Sequence, residues 1–452
     1  MKSKSVQPRM FSDRRLVALI VPLIIEQGLT NFVGMCDGMM VSSVGEAAIS
    51  GVSLVDMINA VMLVLFAALS VGGAVVTSQF LGAGENQKAR QSASHLTLMA
   101  GVLGLGMMLL CLVFAEGLMK LFFGAVDQDV MEAGLIYLRI TALSFPFIAL
   151  YNAGAAIFRS VGNSKISMKV SLLMNGINVG GNALCIYALN MGVAGVAVPT
   201  LVSRAVAAVL ILALAANPRH ELPISVDGFR QVNRRMMKDI LRIGVPNACE
   251  NSFFQFGRLI VASMIALFGT TQTSANAVAN TLDSIGIIAG QAMNLAIVTV
   301  VGQCVGARDH GQVVYYVKKL LLWTYGMMAV CNLAIIVLLN PLIGLYSELS
   351  PETVSLARTL VLLHSSFAIL MWPLSFVLPS ALRAANDVKF TMWVGVGSMI
   401  VFRIFGSWIL CVQLEQGALG VWIAMILDWV CRISFFVPRM ISGKWKTKYT
   451  PS

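Results

Sequence analysis

Long apolar runs, cut by short polar and turn-rich clusters, recur along the whole chain. Twelve of them fall near residues 15–43, 49–81, 92–122, 130–158, 166–190, 193–216, 237–268, 274–304, 315–346, 353–382, 388–412 and 417–441. Each supplies the ~20 residues that a helix needs to cross a bilayer. Continuous runs of this length favour helices over the ten-residue alternation of a membrane barrel. The pattern therefore predicts an all-α polytopic membrane protein with twelve transmembrane helices. Composition agrees: 58% of residues are hydrophobic, 12% are charged and the mean hydropathy is +0.81, against about 25% charged in soluble domains.

Charge adds orientation. With the N-terminus inside, 25 of the 32 Lys and Arg residues fall in cytoplasmic segments, and Lys120 alone falls in an outside loop. This bias places both termini in the cytoplasm, and the expected location is the cytoplasmic (inner) cell membrane. The net charge of +11 then reads as topology and contact with anionic lipid, with no nucleic-acid partner required. The basic N-terminus is not read as a cleaved signal peptide, because the first apolar run is too long and contains Pro22 and Glu26. The eight cysteines all lie inside predicted helices without a CxxC pair, so they read as small buried hydrophobes.

The chain repeats itself. Shifted by 224 positions, residues 22–84 align with 246–308 without a gap, with 11 of 63 identical. The identities include Pro22/Pro246, Glu26/Glu250, Gly45/Gly269, Gln79/Gln303 and Gly82/Gly306, and Arg159/Arg383 keep the same offset. Gly192 and Gly195 match Gly417 and Gly420 one residue later in register. The expected domains are an N-terminal six-helix bundle (1–220), a cytoplasmic linker (221–235) and a C-terminal six-helix bundle (236–452). An even number of helices per repeat relates the bundles by a pseudo-twofold along the membrane normal, with the substrate site at or near their interface. Gly176/Gly180 and Gly302/Gly306 have the GxxxG spacing of close helix packing.

No GxxxxGK[ST] loop, HExxH, GxSxG or His/Cys cluster occurs. An enzyme is therefore not expected, no organic cofactor is implied, and an ion-coupled transporter is the default. The six-plus-six layout, the prolines of the first and seventh helices, the stretch MCDGMMVSSVG, the turns FRSVGNSK and LRAANDVK, and the asparagine-rich fifth helix followed by GVAGVAVPT together resemble the multidrug and toxic compound extrusion (MATE) family of antiporters. The resemblance spans about residues 15 to 440.

Charges inside the apolar runs carry the candidate chemistry, since each costs about 2.5 kcal/mol or more near the bilayer centre and so pairs or lines a wet cavity. The carboxylates are Glu26, Asp37, Asp56, Glu250, Asp283 and Asp428; the deep arginines are Arg204, Arg258, Arg403 and Arg432. By this count the N-terminal bundle sums to −2 and the C-terminal bundle to zero. Glu26 and Asp37 lie about three turns apart on one helix face and are expected to share a cavity. Pro22 and Pro246 are expected to open the helix beside Glu26 and Glu250. Asp56/Asn59 and Asn280/Asp283 read as structural polar pairs, and Asp428/Arg432 as an i,i+4 ion pair. Arg258, eight residues past Glu250, is a candidate partner for it.

The resemblance implies a cation site, for H+ or Na+, at Asp37, Asn178, Asn182 and Thr200, with Tyr137 as a weaker match. It implies a coupling carboxylate at Glu250. Asn182 stands where family members often carry an aspartate, and in the tenth helix only His364 stands where an acid facing Glu250 is expected. The predicted function is export of amphipathic, cationic drugs or toxic metabolites in exchange for H+ or Na+, by a protein working as a monomer. A flippase for lipid-linked saccharides, or an exporter of an anionic metabolite with related architecture, is the alternative.

Overall fold

The computed structural model describes residues 9–124, 127–218, 221–224, 233–346 and 349–448. Most of the 221–235 linker lies outside the described residues. Of the described residues 88% are helical, and no strand occurs among them. The first six spans are Asp13–Ser42, Glu46–Gly82, Asn86–Val113, Gln128–Leu143 continued by Phe145–Ser160, Ser164–Ala183 continued by Leu184–Ala188, and Ala194–Ala216. The second six begin with Arg234–Ala266, Thr270–Gly286 continued by Ile288–Gly306, and His310–Val337. They end with Pro351–Ala384, Val388–Gln413 and Gly417–Ile441.

Nine of these helices are long and apolar enough to cross a membrane, and the fourth span, bent by 44° at Ser144, makes a tenth. The fifth and seventh lie outside that test because of what they carry. The fifth holds Asn175, Asn178 and Asn182, and the seventh holds Asn247, Glu250, Asn251, Gln255 and Arg258 beyond its basic first turns. Short helices, Ala115–Phe123 and Leu339–Gly344, follow the third and ninth spans. The apolar runs 92–122 and 315–346 are thus each a span plus a separate helix.

The repeat is written in the backbone. Helix starts at Glu46, Asn86, Ala115 and Ser164 recur 224 residues later at Thr270, His310, Leu339 and Val388. So do the left-handed turns. Positive φ occurs at Gly45 and Gly269, at Gly84 and Arg308, and at Gly162 and Asn386. After the fifth and eleventh spans the offset becomes 225, with Asn190 matching Glu415 and Gly192 matching Gly417. Arg308, Asn386 and Glu415 adopt a conformation that glycine reaches without strain; turn geometry is kept where residue identity is not.

Caps are local. Ser12, Asn233, Asp309 and Ser350 each accept a backbone N–H from the first turn of the first, seventh, ninth and tenth spans, satisfying donors that a helix start leaves open. Neither Pro22 nor Pro246 breaks its span: both lie inside continuous α-helices. Departures from α geometry fall elsewhere, in π turns at Leu184–Ala188, Pro373–Val377, Met399–Gly406 and Trp408–Gln413.

The two bundles meet at the face that carries the first and last described residues. Gln79 Nε2 donates to the Ala384 carbonyl at 2.8 Å, and Gln303 Nε2 donates to the Ser160 carbonyl at 2.7 Å. These are one contact and its pseudo-twofold mate. Gly82 faces the Gln303 backbone and Gly306 faces the Gln79 backbone so closely that neither has room for a Cβ. Gly302 packs on Ser78 of the other bundle, while Gly176 and Gly180 have nothing within 4 Å of a Cβ position. Of the two GxxxG pairs, only the second is a packing surface. The same face is strapped from outside. Phe11 exchanges two 2.8 Å hydrogen bonds with the Tyr316 hydroxyl, Asp13 pairs with Lys319, and His95 Nε2 accepts the Asn233 N–H at 2.8 Å. His95 and Lys319 are repeat mates, so each bundle's third helix holds the chain entering the other bundle.

Candidate functional site

A cavity of about 430 Å³ opens within the N-terminal bundle, toward the face opposite the termini. Its walls include Asp37 and Gly34 of the first span, Asp56 of the second, Tyr137 of the fourth, Asn178 of the fifth, and Thr200 and Arg204 of the sixth. The fifth span can carry three asparagines because their spacing puts them on one buried face. Asn182 is fully buried and donates its amide to Asp37 Oδ1 at 2.8 Å. Asn178 stands between Asp37 and Thr200. With its amide nitrogen toward Asp37 it donates to both carboxylate oxygens, at 3.1 and 3.2 Å, and its oxygen accepts from the Thr200 hydroxyl at 3.0 Å. In the opposite orientation the nitrogen donates to Thr200 and the amide oxygen faces the carboxylate.

The four residues named for a cation site are thus brought together. Tyr137 joins the same cavity through a different acid: its hydroxyl donates to Asp56 Oδ1 at 3.2 Å, and Asn59 donates there at 3.3 Å. Arg204 reaches across to Ser144 Oγ at 2.8 Å, at the bend of the fourth span. Asp56 and Arg204 are therefore cavity residues, which their sequence neighbourhood did not mark. Two carboxylates against one guanidinium leave the cavity wall with a formal charge of −1.

Glu26 is not in this cavity. It is buried nearer the terminal face, where Arg159 Nη1 lies 3.5 Å from Oε1 and the Ser167 hydroxyl donates to Oε2 at 2.9 Å. Glu250 repeats the arrangement, with Arg383 Nη1 at 2.9 Å. The expectation that Glu26 and Asp37 share one space is overturned, and so is the choice of Arg258 as partner of Glu250. The partners are the arginines that end the fourth and tenth spans. Both stand at the turns FRSVGNSK and LRAANDVK, yet long side chains let them reach back into the bundle. The shared 224 offset of Glu26/Glu250 and Arg159/Arg383 was the signal that could have paired them.

The C-terminal bundle has more charge. Arg432 holds Asp428 at 3.1 Å, lies 3.9 Å from Glu250 and donates to the Gly395 carbonyl at 3.1 Å. His364 does not face Glu250. Its Nε2 lies 2.7 Å from Asp283 Oδ1, and its ring packs edge-on against Trp422 and Trp429. With Arg159 and Arg383 counted, the interior charges are −1 for the N-terminal bundle and +1 for the C-terminal bundle with His364 neutral. Arg159 and Arg383 add one positive charge to each bundle, so the difference of two charges between the bundles is the one the sequence predicts, while each sum is one unit more positive than −2 and zero.

Two bundles of spanning helices with buried charged residues and an open cavity define a polytopic transporter fold. The MatE family model matches residues 22–184 and 246–409, once per repeat. The chain belongs to the MATE family of multidrug efflux transporters. It is 26% identical to the uncharacterized transporter YisQ of Bacillus subtilis, over 92% of this chain and 91% of that one. It is 24% identical to a probable multidrug resistance protein NorM of Thermotoga maritima, over 96% and 93%. Among solved structures it superimposes on a MATE transporter in the bent conformation with TM-score 0.84, at 22% identity and 97% coverage of both chains. It superimposes on an outward-facing multidrug resistance MATE transporter with TM-score 0.86, at 21% identity and 95% and 96% coverage.

Proposed function

We propose that this chain is an antiporter that exports amphipathic, cationic drugs or toxic metabolites in exchange for H+ or Na+. It acts as a monomer in the cytoplasmic (inner) membrane, with both termini in the cytoplasm. The observation that carries this reading is Asp37, set in an open cavity of net negative charge and held by two amides. Antiport needs one site that the driving ion and the substrate cannot both occupy. Asp37 meets that need: an ion bound there cancels the charge that attracts a cationic substrate, so loading one releases the other. Asn178 supplies the matching ligand change. Its amide donates to the empty carboxylate, and after rotation presents an oxygen that shares a proton or Na+ with Asp37. Asn182 keeps a single-acid site, which suits one monovalent ion.

In this reading the bundles are closed at the cytoplasmic face and the cavity opens outward. Glu26–Arg159 and Glu250–Arg383 lie toward the closed face, where they order the ends of the fourth and tenth spans. Drug efflux from proteoliposomes under an imposed pH gradient and, separately, a sodium gradient tests the coupling. Asp37→Asn is expected to insert and fold but to lose gradient-driven export under both. Near-normal export by that variant removes Asp37 from the mechanism.

A further inference from the structure

The C-terminal bundle contains a second, smaller cavity of about 80 Å³, lined by Arg258, Asn276, Asn280, Arg403 and Trp422 with apolar neighbours. Its place in the fold is informative. Arg258 is the repeat mate of Gly34, and Asn280 is the mate of Asp56; both mates line the acidic cavity of the other bundle. The two pockets thus occupy matching positions in their bundles with opposite charge.

The charge at this second pocket is only half neutralised from within. Glu250 is engaged by Arg383 and Arg432 and Asp428 by Arg432, while Asp283, beside a neutral His364, leaves one carboxylate against the two guanidiniums of Arg258 and Arg403. Arg258 and Arg403 form no ion pair among the described residues. Arg403 Nε is buried without a hydrogen-bond partner, and its guanidinium lies 6.0 Å from the centre of the Phe254 ring. An unpaired buried donor on a charged group is costly. Two guanidiniums beside one small cavity add mutual repulsion, and a bound anion relieves both. The amides add donors: the Asn276 oxygen is taken by the Trp422 indole N–H at 2.9 Å, which leaves its NH2 group for the cavity. The volume fits a carboxylate, being on the order of three water volumes, and the Trp422 ring offers an apolar wall to whatever carries it.

We propose that the Arg258–Arg403 pocket is an anion subsite that takes the carboxylate of an organic solute. As a statement about exported substrates it rests on the efflux reading above, and it deepens that reading: among amphipathic cations, those that also carry a carboxylate, and so are zwitterions, are favoured. Arginine suits this role because its planar fork matches a carboxylate.

Titration calorimetry of the full-length protein in phosphatidylcholine nanodiscs, free of anionic headgroups, tests the proposal with benzoate as probe. Saturable benzoate binding is expected, with none for benzamide, its neutral analogue of similar shape. Arg258→Gln and Arg403→Gln, each checked for native elution by size exclusion, should weaken benzoate at least tenfold, and Arg403→Lys should weaken it less than Arg403→Gln. If either glutamine variant fails to fold, the other and Arg403→Lys carry the comparison. No benzoate binding by the wild type, equal binding of benzoate and benzamide, or unchanged affinity in the folded variants overturns the subsite. The titration needs no gradient and no transport. Failure of ion-coupled export therefore leaves it readable, and failure of benzoate to bind leaves the coupling experiment standing.

Discussion

Gly72→Ala is expected to weaken closure of the terminal face without weakening its helix. Gly72 sits inside the second span, where an added Cβ would lie 2.6 Å from the Ile240 carbonyl oxygen and 2.9 Å from the Gly244 nitrogen of the seventh span. Both obstacles are backbone, so no side chain can swing aside. Ordinary contact begins at 3.4 Å, and the two spans must part by about 0.8 Å locally. Overpacking of this kind costs about 1–3 kcal/mol. Alanine also favours a helix over glycine by about 1 kcal/mol, but that gain applies whether the bundles are closed or parted and cancels between the two states. A net penalty near 2 kcal/mol on the closed state alone shifts the equilibrium about 30-fold toward opening. Spin labels at Gln87 and Gly311, exposed repeat mates just past the second and eighth spans, report it by distance in a cysteine-free background. The variant should populate a longer separation, while Gly106→Ala, which meets nothing within 4 Å, should not. An unchanged distance distribution in Gly72→Ala, or an equal shift in both variants, would refute the reasoning.

Three further outcomes follow from the charges and caps. Glu250→Gln should destabilise the protein by about 3–5 kcal/mol by stranding Arg383, and adding Arg383→Gln should recover part of the loss; thermal unfolding of the two singles and the double shows whether the pair is coupled, and additive losses would mean it is not. Asp309→Ala should cost about 1 kcal/mol by removing the cap of the ninth span. The Gln312 backbone N–H holds the Asp309 carboxyl below its usual range, so this contribution is present above about pH 3.9 and fades as pH falls through the folded value; a wild-type advantage that persists undiminished at the lowest pH tested would contradict it. A cysteine placed at exposed Glu221 should resist an impermeant thiol reagent in intact cells and react in inverted vesicles; labelling in intact cells reverses the topology.

Much of this protein was legible in its sequence. Twelve apolar runs gave the spans because a bilayer imposes one length on every crossing helix. The 224-residue offset gave two bundles, and even the slip to 225 after the fifth and eleventh spans showed in the glycines before it showed in the backbone. Asp37, Asn178, Asn182 and Thr200, which a family resemblance names position by position, come together in the structure. What the sequence could not decide were the partners of long side chains. Arg159 and Arg383 read as turn residues from their neighbours in the chain, whereas tertiary packing draws their guanidiniums inward onto Glu26 and Glu250. Arg258 and Glu250 share a helix, but their side chains serve different spaces. His364 faces Asp283 because the eighth and tenth spans pack at that level, a fact carried by no spacing along either helix. Linear order fixes which helix a charge rides on and how deep it sits. Only the packing of helices distant in sequence decides which opposite charge lies within reach, and here that packing left one pocket acidic and its repeat mate basic.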